Sequence, residues 1–213
     1  MTTMKKLLLL PVLFLLAACA TPQVAFNPRA DFSNVKRVAV LTFNGPKGDV
    51  AADLMTQSLL MQGADVVERQ RLDSVMHEQS LSNSSSFDPA TAKQLGKLLG
   101  VDALFVGTVA ESTPQSSYIV NQSQNPYFTT ITPVSGGTVY SEGSVMGMPN
   151  SQLLSTTANV SLLSRMVDVQ TGSIMWSASM TYEGFDVATA MRGITNSFVR
   201  SLSPIWPSLY KPK

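Results

Sequence analysis

The sequence predicts a layered α/β domain in which helices pack on a sheet. Three observations predict it. Short apolar runs alternate with amphipathic stretches in the order β-α-β-α-α-β through the first half of the chain. Two alternating strands and then a helical period close the second half. The chain has 213 residues and is 44% hydrophobic, enough to bury one sizeable core.

The elements follow in chain order. Val35 to Phe43 reads as a strand, and its continuous run Val38-Ala39-Val40-Leu41 fits a strand covered on both faces. Asn44 to Gly48 is a turn cluster; Asp49 is expected to cap the next helix and Gly63 to end it. Ala51, Leu54, Met55, Ser58 and Leu59 share one face of that helix. Ala64 to Val67 is a short second strand. Arg69 to Gln79 is a second helix, with Leu72, Val75 and Met76 inward and Arg69 and Asp73 spaced as an ion pair. Ser80 to Ser86 is a loop. Asp88-Pro89 starts a third helix, Ala92, Leu95 and Leu99 face inward, and Gly100 closes it. Ala103 to Val109 is a buried strand. Thr157–Val169 and Ser173–Tyr182 form a hairpin about Gln170-Thr171-Gly172, with Trp176 in the core. Val187, Met191, Ile194 and Phe198 mark the last helix, which Pro204 and Pro207 stop.

Between these halves lies an unusual stretch. From Ser112 to Ser164 the only charge is Glu142, amid Ser, Thr, Asn, Gln and Gly with Tyr118, Tyr127, Phe128 and Tyr140 interspersed. A disordered loop of this length carries more charge, so the pattern predicts an extended β-hairpin insertion at about 112–156, turning at Gly136-Gly137.

Composition excludes several functions. Only 14% of residues are charged and the net charge is +1, which argues against a nucleic-acid partner. One cysteine and one histidine exclude a multi-ligand zinc site and a disulfide framework. His77-Glu78 lacks the second histidine of a metalloprotease helix. Asn44-Gly45-Pro46-Lys47-Gly48 lacks the spacing of a phosphate loop, and no serine stands in a nucleophile elbow. The expectation is no enzyme, no cofactor, no metal and no catalytic residue.

The N-terminus reads as an address. Lys5 and Lys6 precede an apolar run, Leu7 to Ala18, that is 12 residues long and too short to span a bilayer. Leu16-Ala17-Ala18-Cys19 resembles the lipobox of bacterial lipoproteins. The resemblance implies a signal peptide over 1–18, cleavage before Cys19, and lipidation of its sulfur with palmitate-type acyl chains. Ala20, rather than aspartate, implies sorting to the outer membrane, on its periplasmic side. Residues 19–34, with Pro22 and Pro28 and no helical period, read as a lipidated N-terminus and tether.

Further motifs carry a second resemblance. Val35-Lys36-Arg37-Val38-Ala39-Val40-Leu41, Val66-Val67-Glu68-Arg69 with Leu72-Asp73 and Glu78-Gln79, and Ala90 to Gly96 with Gly100-Val101-Asp102-Ala103-Leu104 occur in order. Val106-Gly107-Thr108-Val109 and Val167 to Gly172 with Trp176-Ser177 follow. Together they resemble the CsgG-like lipoproteins, the curli-secretion channel proteins and their relatives. This implies a single TolB-N-terminal/CsgG-like periplasmic domain over 35–210. In curli-type channels each subunit adds two membrane-spanning hairpins to a shared barrel. Here the insertion occupies the first position, and Thr181 to Asp186 are too few residues for the second.

The resemblance implies a non-catalytic, outer-membrane-anchored periplasmic lipoprotein that forms homo-oligomers. It would support secretion or assembly of a cell-envelope or surface structure, with an envelope-assembly protein as a further partner. Two alternatives stand beside it. One is a lipoprotein regulator of a peptidoglycan synthase, which wants a long tether, whereas Ala20–Asn34 spans about 50 Å fully extended. The other is a periplasmic ligand-binding module with no ligand site legible in the residues.

Overall fold

The computed structural model describes residues 21–68, 89–122, 129–133 and 151–209. The expected signal peptide over 1–18, Cys19, the expected Arg69–Gln79 helix with its Arg69–Asp73 pair, the Ser80–Ser86 loop and Gly136-Gly137 lie outside them.

Nine strands and three α-helices are seen among the described residues: β1 (Gln23–Phe26), β2 (Arg37–Val40), α1 (Gly48–Met61), β3 (Asp65–Val67), α2 (Pro89–Leu99), β4 (Ala103–Thr113), β5 (Ser117–Gln122), β6 (Thr129–Pro133), β7 (Ser151–Ser155), β8 (Ala158–Asp168), β9 (Ile174–Gly184) and α3 (Val187–Leu202). The main sheet has the order β1-β9-β8-β4-β2-β3. β2 runs parallel to β3 and β4, and the β4–β8, β8–β9 and β1–β9 pairs are antiparallel. The predicted α/β layering is present.

Helices α1 and α3 cover one face. Val38, Val40, Phe105, Val160, Leu162, Met166, Trp176 and Ala178 bury their side chains there against Ala51, Met55, Leu59, Met191, Ile194 and Phe198. The two helices also meet through Ser58, whose hydroxyl lies 3.2 Å from Thr195 Oγ1 and 2.8 Å from Asn196 Oδ1. The opposite face holds a smaller core of Ala39, Leu41, Leu104, Val106, Val167 and Val169 with Leu99 and Val101. That alternation explains the continuous apolar run of β2: consecutive residues face opposite layers, and both are covered.

Three expectations are corrected. Asp49 does not cap α1; it lies in the first turn, and the cap position is Lys47, with φ 56°. The turn packs so closely that a Cβ on Gly48 would overlap the Phe43 carbonyl, so the helix begins one residue earlier than the acid. Asp49 still favours the helix as a negative charge in its first turn. The stretch read as a tether contains β1, which adds to the β9 edge, and Phe32, which is buried in the larger core. Among the described residues the insertion forms a three-stranded sheet ordered β6-β5-β7, in which β5 has two partners rather than the one of a simple hairpin. β5 continues the chain of β4, and β7 leads into β8, so the β4–β8 pairing carries over to β5–β7 and leaves the other edge of β5 to β6.

The C-terminal elements match the sequence reading. Val187, Met191, Ile194 and Phe198 are all buried on α3. After Leu202 the chain folds back to the start of β2, where Trp206 Nε1 and Ser208 Oγ both donate to the Val35 carbonyl at 2.9 and 2.8 Å. Asp186 is the N-cap of α3 and accepts from the Thr189 amide at 2.7 Å. That bond, seconded by the Thr189 hydroxyl, holds its carboxyl below the usual carboxylate range. The folded value lies below the unfolded one, so the contribution is complete at neutral pH and is lost as the pH falls through it. Asp186→Ala is therefore expected to lower the urea midpoint at pH 7 and Asp186→Asn to retain most of it. The gap between wild type and the alanine variant should narrow under acid conditions, as the charge-dependent part is lost; a gap independent of pH would contradict this assignment.

Candidate functional site

No group of three or more metal-ligating side chains is found among the described residues, and no described helix is long and apolar enough to cross a membrane. Four surface features are formed by the described residues and the segments next to them.

The first is a polar recess of about 500 Å³ where the N-terminal segment crosses the β8–β9 turn, lined among others by Arg29, Asp31, Asp102, Asp168 and Gln170. Each carboxylate in it has a structural task. Asp102 accepts from the Lys36 and Arg37 amides at 2.8 and 3.0 Å and ties the start of β2 to β4. Asp168 accepts from the Gln170 and Thr171 amides at 2.6 and 3.1 Å and shapes the hairpin turn. Asp31 accepts from the Ser33 hydroxyl and amide, which hold its carboxyl below the usual range. The aspartates of the GVDA and VDVQTG passages thus close turns and hold strand ends.

The second is the half of the sheet that α2 does not reach. Cross-strand rows run Gln23–Ser179–Leu163–Thr108 and Ala25–Ser177–Arg165–Val106. Leu163 is 38% exposed there. Arg165 Nε and Asn159 Oδ1 are buried on the same face without a hydrogen-bond partner among the described residues. Buried polar atoms are normally satisfied, so this face is incomplete among the described residues.

The third is the insertion. It joins the main sheet through Thr156, whose hydroxyl accepts from the Ser116 amide at 2.9 Å and whose amide donates to the Ser116 carbonyl at 2.8 Å. No equivalent can follow β9, because only Phe185 and Asp186 separate it from α3. The second membrane-spanning hairpin of a curli-type subunit has no place there.

The fourth is the route from Cys19 to the fold. Cys19 itself lies outside the described residues. β1 begins at Gln23, so only three residues, 20–22, separate Cys19 from the sheet, a reach of about 14 Å at full extension, rather than the whole of 20–34. The only sequence sign of β1 was the alternation of Val24 and Phe26. Phe185, 83% exposed, was passed over in the sequence as part of a connection.

Comparison with known proteins places these features in context. Residues 18–195 match the model of a family described as the curli production assembly/transport component CsgG. No curated protein matches the chain significantly. Among solved structures, similar chains include the PelC dodecamer from Paraburkholderia phytofirmans, 17% identical with a TM-score of 0.45, covering 88% of this chain and 98% of that one. Lipoprotein GNA1162 from Neisseria meningitidis is 15% identical with a TM-score of 0.43, covering 79% and 95%. The LpoB C-terminal domain from Salmonella enterica is 13% identical with a TM-score of 0.41, covering 71% and 85%.

Proposed function

The chain belongs to the CsgG family, and from that premise we propose that it is a non-catalytic, outer-membrane-anchored periplasmic lipoprotein that oligomerises and supports secretion or assembly of a cell-envelope or surface structure. The family match over residues 18–195 carries this reading. The lipobox-like Leu16-Ala17-Ala18-Cys19 supplies the anchor, and Ala20 the outer-membrane address. The carboxylates of the recess serve as backbone caps, which favours a role without catalysis.

The uncovered face of β8, β9 and β1 supports self-association. Its side chains are small and mostly uncharged, as the centre of a subunit interface is, and a partner would satisfy Arg165 and Asn159. The linker of about 14 Å favours assembly at the membrane over the regulator alternative, whose partner stands far across the periplasm.

Oligomeric state tests the proposal. Mass photometry of the full-length lipidated protein in mild detergent is expected to give one discrete oligomer. Leu163→Lys, which puts a charge at the centre of the open face, is expected to give folded monomer. Replacing Ser117–Ser155 by an Asn-Gly turn between Ser116 and Thr156 asks whether the insertion contributes to the oligomer. A monomeric wild type would overturn the oligomer.

A further inference from the structure

The strand register gives the anchor a direction. β1 runs antiparallel to β9, with Gln23 opposite Ser179, so the chain preceding Gln23 heads toward the Gly184 end of β9. Thr21 confirms the heading, because it lines a shallow depression with Ser161, Ser179 and Thr181. Cys19 is two residues before Thr21 and so within about 7 Å of it. β9 ends at Gly184, three residues or about 10 Å beyond Thr181, and Phe185 follows in the bend that leads into α3. Its ring therefore stands at or past the farthest level that Cys19 reaches in that direction. A bilayer holding the acyl chains of Cys19 therefore lies near this end of the sheet.

We propose that Phe185 is a membrane-contact residue, its ring seated in the interfacial region of the leaflet that holds the Cys19 lipid, with the sheet standing end-on at a zwitterionic phospholipid surface. This rests on the reading of Cys19 as lipidated. Three observations converge on it: the chain before Gln23 heads toward this end, the most exposed large apolar residue among the described ones is here, and the uncharged insertion leaves the main sheet at this end, where Ala158 pairs with Gly184. The neighbours set the lipid class. Glu183 and Asp186 flank the ring and are acidic, so an anionic surface is repelled and the contact is apolar rather than electrostatic. Aromatic rings are favoured at this depth of a bilayer.

The test places a reporter on the ring. Trp176 and Trp206 are fully buried and supply a constant background. Full-length protein extracted from membranes is weighed intact and then reconstituted in phosphatidylcholine–phosphatidylethanolamine vesicles with brominated acyl chains. In Phe185→Trp, about half or more of the added emission is expected to be quenched. In Phe26→Trp, at the other end of β1 and opposite Trp176, none of it is expected to be. Exchange of half the lipid for phosphatidylglycerol should not raise the quenching. An acylated protein whose Phe185→Trp emission is unquenched, or is quenched less than that of Phe26→Trp, overturns the proposal and leaves the anchor intact. An intact mass without acyl chains overturns both. A blue shift of the Phe185→Trp emission that follows protein concentration in detergent, with no lipid quenching, would assign the ring to a second copy instead.

Discussion

Trp176→Ala is expected to cost about 3–5 kcal/mol of stability, the usual price of emptying a large buried aromatic site. The indole is fully buried at the centre of the β9–α3 layer. It packs edge-on against Phe105 and Phe198, with ring centroids 6.2 and 5.8 Å away, and Phe105 in turn lies 6.3 Å from Trp206. Strands β4 and β9, helix α3 and the segment after it therefore share one aromatic cluster, and truncation leaves a cavity that none of its rigid neighbours can fill. Its Nε1 donates to Ser201 Oγ at 3.2 Å. Trp176→Phe keeps most of the ring contacts and loses that bond, so it should cost far less, about 1 kcal/mol for the bond plus part of the ring volume. Guanidinium unfolding followed by far-UV circular dichroism separates the two. A loss below about 1 kcal/mol in the alanine variant would contradict the burial described here.

Gly45→Ala is expected to be comparably severe, at about 3 kcal/mol or more, and for a different reason. Gly45 has φ +94°, and an added Cβ would overlap the carbonyl oxygen of Val109. That oxygen belongs to the backbone and cannot swing aside. The approach is held by Asn44, whose amide donates to the Gly107 carbonyl at 2.9 Å and whose carbonyl accepts from the Val109 amide at 2.7 Å. The register of β4 against β8 shifts immediately afterwards, between Val109 and Glu111. Gly100→Ala is the control. Gly100 has φ +64°, but nothing lies within 4 Å of an added Cβ, so only the backbone strain of about 1–2 kcal/mol remains. Equal losses in the two variants would remove the steric argument. The same midpoints, measured by circular dichroism, decide it.

These two sites differ in how they could be recognised beforehand. Trp176 was legible as core, because an aromatic on an alternating strand points inward with its even-numbered neighbours. Gly45 was legible only as a turn residue; that Val109 presses against it follows from a bridge between Asn44 and Thr108 that no local pattern announces. The Arg37–Asp65 ion pair, 2.8 Å across β2 and β3, is another case, since it needs the strand register before the two residues can be matched. The site residues divide likewise. Cys19 is a local motif readable without any fold, whereas Phe185 means nothing until β1 is seen beside β9.

Helical period, alternation, turn chemistry and the N-terminal address are local. They depend on residues a few positions apart, so the chain alone was enough for the α/β class, the β8–β9 hairpin and the inward face of α3. Partner choice is not local. The edge position of β1, the pairing of β5 with both β6 and β7, and the docking of Trp206 on Val35, 171 residues away, depended on the assembled sheet. A strand carries the same unpaired donors and acceptors whichever neighbour takes them, and only packing in three dimensions selects the neighbour.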